Sequence, residues 1–276
     1  MGYLWRISRF MRTLPVVRRA LVTLLLAVVA FTAVSAAAAS AAPAPWKPNM
    51  KAALKFVRHR HGIISFSVRT EKHVWSYRGS RTVPCASVFK AMALVTYLNH
   101  PKVRNRRLNS HDKSLLSPMI RRSSDRATDR VVSYVGLGRV RALARRVGMH
   151  HFKTNKIWGR SRINAVDQSK YLLHIDDFTP KRHRAYALKL LSSIVSSQRW
   201  GLWQVRPKGW NFYSKGGWGL GTGWVDHQVA LLTRGDQRVS IAVLTYLDGS
   251  HGYGKRTLKG LGGRLLGGLD KAKLVE

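Results

Sequence analysis

The pattern of apolar and polar positions after residue 49 separates into helical and strand-like stretches. Apolar residues recur every three to four positions in six stretches, which predicts helices. Five shorter stretches alternate and are rich in β-branched and aromatic residues, which predicts strands. The predicted helices are Met50–His61, Ser87–Leu98, Leu115–Met149 with a break near Tyr134–Gly138, Val166–Leu173, Arg184–Ser196 and Lys255–Leu269. The predicted strands are Ile63–Val68, His73–Tyr77, Trp210–Lys215, His227–Thr233 and Val239–Leu247.

The order of these elements predicts an α/β fold of the α+β kind. The chain runs helix, two strands, a long helical stretch, three strands, helix. The simplest packing joins both groups of strands into one antiparallel sheet flanked by the terminal helices. The central helices then form an all-helical lobe. We expect a domain over 50–276, with an α/β lobe of about 50–98 and 205–276 and a helical lobe of about 99–204.

The N-terminal segment has the layout of a secretory signal. Residues 1–19 contain five arginines and no acid, and an uncharged apolar run follows from Ala20 to Ala42. Ala39-Ser40-Ala41 fits a small-x-small cleavage site. We therefore expect a signal peptide over 1–41, a linker over 42–49, and a secreted or cell-envelope protein. The run is also long enough to span a bilayer, so an uncleaved N-terminal membrane anchor remains the alternative.

The charge of the chain predicts polyanionic neighbours. The net charge is +37, and removing the five arginines of residues 1–41 leaves +32. Residues 102–160 carry 16 Lys or Arg against three acids, Asp112, Asp125 and Asp129. An exported chain rarely meets nucleic acid, and no nucleic-acid-binding motif is present. Anionic cell-wall polymers or a membrane surface are the expected partners. A solvated basic surface with no specific partner is the alternative.

Cys85 is the only cysteine, so the chain has no internal disulfide and its stability depends on its core. Cys85 stands two residues before Ser87 and could itself be nominated as a nucleophile. No Cys/His signature surrounds it, which favours a small buried packing residue. The histidines at 150, 151 and 227 lack metal-binding spacing, so no metal site is expected.

Ser87 and Lys90 form the main candidate for chemistry. Three residues apart on a helix, they lie on one face about one turn apart. An amine in that position can take the hydroxyl proton and activate the serine as a nucleophile. The same Ser-x-x-Lys spacing recurs at Ser110 and Lys113, which provides a control. That copy lies in a polar stretch, whereas Ser87 begins an apolar helix.

Two later motifs turn this pattern into a family resemblance. Ser123-Ser124-Asp125 follows in the helical stretch, and Lys215-Gly216-Gly217 lies on the first strand after it. Together with Ser87-Val88-Phe89-Lys90, they resemble the S-x-x-K, S-x-N and K-T-G motifs of serine β-lactamases (class A) and penicillin-binding proteins. The resemblance covers roughly residues 61–269. It implies a β-lactamase/transpeptidase-like fold with Ser87 between the two lobes.

The resemblance also implies roles. Ser87 is the acylated nucleophile, and Lys90 is the base or proton shuttle. Ser123 relays a proton to the leaving nitrogen, and Lys215 holds a substrate carboxylate. Backbone N–H groups of Ser87 and Trp218 form the oxyanion hole. The implied substrate-binding residues are Asp125, Gly216, Gly217 and Trp218, the last as a wall of the cleft. A β-lactam or a peptidoglycan-type peptide is the implied substrate of a monomeric enzyme that needs no cofactor.

Three departures from the family pattern favour slow turnover. Asp125 stands in the asparagine position and could keep Lys90 protonated. Gly216 lacks the hydroxyl expected in the third motif. The loop Asn155–Asn164 contains no acid, although class A enzymes deacylate with a glutamate there; the two glutamates of the chain are Glu71 and Glu276. A long-lived ester on Ser87 is therefore expected. The alternative is a catalytically impaired relative that binds peptidoglycan or envelope polyanion.

Overall fold

The computed structural model describes residues 45–219, 221, 223–272 and 274, so the predicted signal peptide and residues 42–44 of the predicted linker lie outside the described residues. The larger sheet has five antiparallel strands in the order β2-β1-β7-β6-β5. A second, two-stranded sheet pairs β3 with β4. The strands are β1 Ile63–Arg69, β2 Val74–Tyr77, β3 Val83–Pro84, β4 Arg162–Ile163, β5 Asn211–Gly219, β6 Val225–Arg234 and β7 Gln237–Tyr246.

Nine α-helices surround the sheet in the part of the chain that the structure describes. They are α1 Met50–Arg58, α2 Phe89–Leu98, α3 Pro101–Arg104, α4 Ser110–Arg121, α5 Asp125–Val135, α6 Leu137–Val147, α7 Ala165–Leu173, α8 Arg184–Ser192 and α9 His251–Leu265. Within the same residues, no helix is both long and apolar enough to cross a membrane. The predicted mixed fold, one antiparallel sheet flanked by the first and last helices, is confirmed.

Two apolar cores lie against the sheet. One contains α2 and residues of α4 to α8 together with β6 and β7 residues such as Val229 and Leu244. The other contains the terminal helices and the intervening residues of the same two strands, such as Ala230 and Val243. Because side chains on a strand alternate between faces, this alternation places one core on each face of the sheet. Both faces of β6 and β7 are thus buried, which explains their nearly continuous apolar sequence.

The long helical stretch differs from its prediction at one point that matters for the site. The break at Gly136 is confirmed, since Gly136 separates α5 from α6 with a φ of +74°. A second break at 122–124 was not predicted. Asn109 caps the start of α4 with a capping box, and the Ser124 hydroxyl caps α5. Between these helices Ser123 has a φ of +59°, in the left-handed region that non-glycine residues rarely adopt.

Candidate active site

Ser87 lies in a tight turn that is anchored on its N-terminal side and leads into a helix. It is the middle residue of a 3₁₀ turn, Ala86–Val88, which leads directly into α2. Ala86 has a φ of +42°, a strained conformation for a residue with a side chain. The Cys85 N–H donates to the Ser161 carbonyl at 2.8 Å. The turn therefore presents a half-buried Ser87 at the start of a buried helix.

Lys90 lies one turn further along α2 and reaches back to Ser87. Its Nζ is 2.6 Å from Ser87 Oγ, 2.7 Å from the Ser123 carbonyl and 3.2 Å from Ser123 Oγ. The side chain is 0% exposed. The geometry that the Ser-x-x-Lys spacing predicts is present, because the lysine and the serine hydroxyl are in direct hydrogen-bond contact. The second copy differs: both Ser110 and Lys113 are exposed in the first turn of α4.

Lys215 approaches the same hydroxyl from the sheet. It lies on β5, is 1% exposed, and has its Nζ 3.0 Å from Ser123 Oγ and 2.5 Å from the Gly216 carbonyl. Ser123 Oγ is therefore shared by two lysine amines that arrive from α2 and from β5. The unpredicted break before α5 is what places this hydroxyl between them.

Burial lowers the pKa of both lysines. For Lys215, burial is the largest cause and the neighbouring charge of Lys90 adds to it, so its pKa lies well below the ordinary value. For Lys90, burial lowers the pKa, while Asp125 opposes the shift through a hydrogen bond and its charge. Two buried ammonium groups on one hydroxyl repel each other, so the pair favours a state in which one amine is neutral.

Asp125 forms the ion pair that its position in the second motif suggested. Its Oδ1 lies 2.6 Å from Lys90 Nζ, and the carboxylate is 71% exposed. It is the first residue of α5, directly after the cap residue Ser124. A carboxylate is stable there because the N-terminus of a helix carries partial positive charge. The contact holds a negative charge beside Lys90 that an asparagine would not supply.

The third motif has two glycines for two different steric reasons. A Cβ added at Gly217 would lie 2.7 Å from the Ser87 backbone nitrogen, so β5 approaches the Ser87 turn too closely for any side chain. A Cβ at Gly216 would lie 3.0 Å from the Trp200 ring. That ring fills the space beside the position where the family motif has a hydroxyl residue. Trp200, which sequence reasoning did not single out as a site residue, therefore leaves little room for a side chain at Gly216.

Trp218 follows the motif and has a half-exposed side chain. Its side chain is 49% exposed, and its ring stacks on His251 at a centroid distance of 4.6 Å with an interplanar angle of 23°. Sequence reasoning nominated Trp218 but not His251. The histidine comes from α9, more than thirty residues later, and no local pattern marks it.

The loop Asn155–Asn164 places an aromatic ring, rather than an acid, near the lysine. Trp158 has its ring centroid 5.0 Å from Lys90 Nζ, and its indole N–H donates to Asp129 Oδ1 at 2.7 Å. Asp167 lies in the first turn of α7, where Asn164 is the cap residue and donates to the Asp167 carboxylate. The buried Cys85 thiol donates to the Trp158 carbonyl, and burial raises its pKa, which keeps it in the unreactive thiol form.

The fold and this arrangement define a β-lactamase-like serine hydrolase fold. The chain belongs to the Beta-lactamase enzyme family, whose family model matches residues 105–265, more than half of the chain. The resemblance drawn from the three motifs is thereby confirmed at the level of the family. No curated protein matches the chain significantly.

Solved structures agree with this fold. The β-lactamase from Sphaerobacter thermophilus DSM 20745 is 15% identical, with a TM-score of 0.67 over 79% of this chain and 95% of that one. The chromosome-encoded β-lactamase of Vibrio parahaemolyticus is 17% identical, with a TM-score of 0.67 over 79% and 97%. An ancestral class A β-lactamase is 15% identical, with a TM-score of 0.66 over 77% and 96%. At such low identity the likeness establishes the fold alone.

Proposed function

We propose that this protein is an exported, monomeric serine hydrolase that forms an acyl-enzyme on Ser87 with a β-lactam or a peptidoglycan-type peptide amide. The observation that carries the proposal is the contact of Lys90 Nζ with Ser87 Oγ at 2.6 Å, with Ser123 Oγ shared between Lys90 and Lys215. Export rests on the sequence of residues 1–41, and no cofactor enters the chemistry proposed.

The geometry supports a complete proton path for acylation. Ser87 Oγ attacks the amide carbon while its proton passes to a neutral Lys90 amine. Backbone N–H groups of Ser87 and Trp218 stabilise the oxyanion; each such donor typically contributes about 3 kcal/mol. The proton then moves through Ser123 Oγ to the leaving nitrogen as the C–N bond breaks. Lys90 returns to its neutral form, and the acyl group remains on Ser87 as an ester.

Hydrolysis of that ester is the weak step in this proposal. A water molecule attacking the ester needs a general base within hydrogen-bond reach. The loop Asn155–Asn164 supplies no acid, and Trp158 lies beside Lys90 instead. The carboxylate of Asp129 is already bound by the Trp158 indole N–H. We therefore propose slow deacylation and an adduct that accumulates.

A second candidate function is binding of an anionic envelope polymer by an impaired relative. The observation that favours it is that all three acids of residues 102–160 are engaged within the protein. Asp112 is bound by Arg106 and the Tyr97 hydroxyl, Asp125 by Lys90, and Asp129 by Trp158. The 16 Lys and Arg of that segment therefore have few carboxylates to neutralise them.

Intact mass after exposure to a penicillin tests the acylation proposal. The full chain incubated with benzylpenicillin should gain the mass of one penicillin and lose it over hours rather than seconds. Ser87→Ala should gain nothing. Ser110→Ala removes the serine of the other Ser-x-x-Lys copy and should behave like the wild type. Rapid loss of penicillin without an adduct would contradict slow deacylation, and an unchanged mass in the wild type would favour the polymer-binding function.

A further inference from the structure

A buried polar cluster behind Trp218 takes no part in the chemistry described so far. Asp226 lies on β6 directly opposite Trp218 of β5, and opposed residues in antiparallel strands point to the same face. Asp226 is 1% exposed. Its Oδ1 lies 2.6 Å from His251 Nδ1, and His251 in turn stacks under the Trp218 ring. The imidazole therefore bridges the two members of a cross-strand pair.

The imidazole is held on a second side as well. The Trp200 ring meets His251 edge-on, with a centroid distance of 5.2 Å and an interplanar angle of 88°. Trp200 is the residue that packs against Gly216 of the third motif. His251 thus contacts two aromatic rings: the ring of Trp218, which ends the Lys215–Trp218 segment, and the ring of Trp200, which packs against Gly216. A movement of His251 would be transmitted to that segment through two rings.

The carboxyl that anchors His251 is itself fixed. The buried Asp248 is close enough to act on the pKa of Asp226, and Thr245 Oγ1 donates to Asp248. A Cβ at Gly254 would clash with the Asp226 carboxyl, so the first turn of α9 is pressed directly against it. Burying two carboxyls is unfavourable unless both are well bonded. Such a cluster costs more than apolar packing would, which points to a role in function.

Burial acts on both members of the contact between Asp226 and His251 in the direction of the neutral form. Burial, reinforced by the charge of Asp248, raises the pKa of Asp226 to about 8. Burial and the charge of Lys255 lower the pKa of His251. The contact between Asp226 Oδ1 and His251 Nδ1 is a directional hydrogen bond of 2.6 Å, and such a bond fixes the plane of the ring.

We propose that His251, anchored by Asp226, is a positioning residue that holds the Trp218 ring as the wall of the acylation site. His251 lies behind Trp218 and acts through it. A substrate group that packs on the outer face of Trp218 meets a surface whose position is fixed. The proposal rests on the proposed acylation for its consequence, whereas the positioning itself is independent of it.

The indole N–H signal of Trp218 in a ¹⁵N-tryptophan spectrum tests the positioning directly. Trp218→Phe identifies the signal by its loss. His251→Ala and Asp226→Ala should both shift it, whereas Asp226→Asn, whose amide can still bond to Nδ1, should leave it in place. The double Ala variant should shift it no further than His251→Ala, because both changes break one connection. His73→Ala, which removes a histidine packed on Trp75, is the matched control.

Acylation kinetics supply the functional readout. His251→Ala should weaken the noncovalent penicillin complex about fivefold, the order of one aromatic contact, with the acylation step itself changed far less. The positioning role is overturned if the Trp218 indole signal stays in place in both His251→Ala and Asp226→Ala. It is also overturned if the signal moves as far in Asp226→Asn as in Asp226→Ala. If the wild type forms no adduct, the proposed function fails, while the indole signals still decide the role of His251.

Discussion

The charge on Lys90 controls how readily Ser87 can lose its proton. Burial favours the neutral amine that the chemistry needs, and Asp125 favours the ammonium. The carboxylate lies 2.6 Å away but is largely exposed, so solvent screens it. Lys90 therefore remains usable as a base, at a lower rate than an uncharged neighbour would allow.

Replacing Asp125 with asparagine should speed acylation. Asp125→Asn removes a charge that stabilises the ammonium of Lys90, so more of the amine is neutral at a given pH. Since a partly exposed ion pair contributes up to about 1 kcal/mol, the acylation rate should rise about threefold to fivefold. The rising limb of the pH–rate profile should also move to lower pH. Stopped-flow measurement with a chromogenic β-lactam would check both effects.

The control for this change is Asp129→Asn. Asp129 also raises the pKa of Lys90, but through its charge alone and without a hydrogen bond. Its effect on the rate should be smaller than that of Asp125→Asn. A slower Asp125→Asn enzyme would mean that Asp125 serves the reaction rather than restraining it.

At the scale of elements, the junction of β6, β7 and α9 buries a carboxyl pair with few opposing charges. Asp248 lies in the segment between β7 and α9, and Arg60 and Lys255 act on the pair through their charges. Burial is the largest cause of the raised pKa of both acids. The pair is therefore most stable with a proton shared between its members.

This pair should make stability fall as pH rises. Between about pH 4 and 8 the folded protein keeps a proton on Asp226 that the unfolded chain has released, because the pKa rises from 3.8 to about 8 on folding. Raising the pH through that window lowers the free energy of unfolding, and the loss ends above the folded pKa. Asparagine cannot titrate, so the stability of Asp226→Asn relative to the wild type should increase from pH 5 to pH 8. Urea denaturation at both values measures the difference.

The contribution of His227 to stability changes with pH in the opposite direction. It is the same in the wild type and in Asp226→Asn, so it cancels when the two are compared. Burial lowers the pKa of His227 to about 4, so it costs stability as pH falls from 6.5 to 4, equally in both proteins. Asp236→Asn, in the exposed turn between β6 and β7, is the matched control. A stability difference between Asp226→Asn and the wild type that does not change with pH would contradict the shared-proton arrangement.

At the scale of the molecule, the main electrostatic feature is the excess of Lys and Arg over Asp and Glu, 49 against 12. On α6, Arg141 and Arg145 are exposed one turn apart. Cations on a surface with few acids attract a linear polyanion and release its counterions on binding, so the affinity should fall linearly with salt on a logarithmic scale.

Charge reversal on α6 tests this surface. Arg141→Glu together with Arg145→Glu should weaken binding of a long-chain polyphosphate more than Lys51→Glu together with Lys55→Glu, which makes the same charge change on α1. Fluorescence anisotropy at two salt concentrations would measure both variants and the salt dependence. Equal losses in the two double variants would mean that net charge alone, rather than the surface of α6, attracts the polymer.

Much of the fold could be predicted because the signals are local. Apolar periodicity correctly predicted all the longer strands and most of the helices, and Gly136 indicated a helix break. The break that contains Ser123 was missed, since its φ of +59° is imposed by packing rather than by a glycine. The two-residue pair of β3 and β4 was also missed, because such short strands leave no periodic pattern.

The sequence by itself determined the spacing of Ser87 and Lys90, the order of the three motifs, the basic charge and the absence of an acid in the loop before α7. Each of these is a property of residue types and of local geometry. Only the tertiary structure decided that Ser123 lies between two buried amines, that Trp200 fills the space beside Gly216, and that Asp226 and His251 stand behind Trp218. These contacts join segments far apart in the chain, and the burial that shifts the pKa values exists only once those segments pack together.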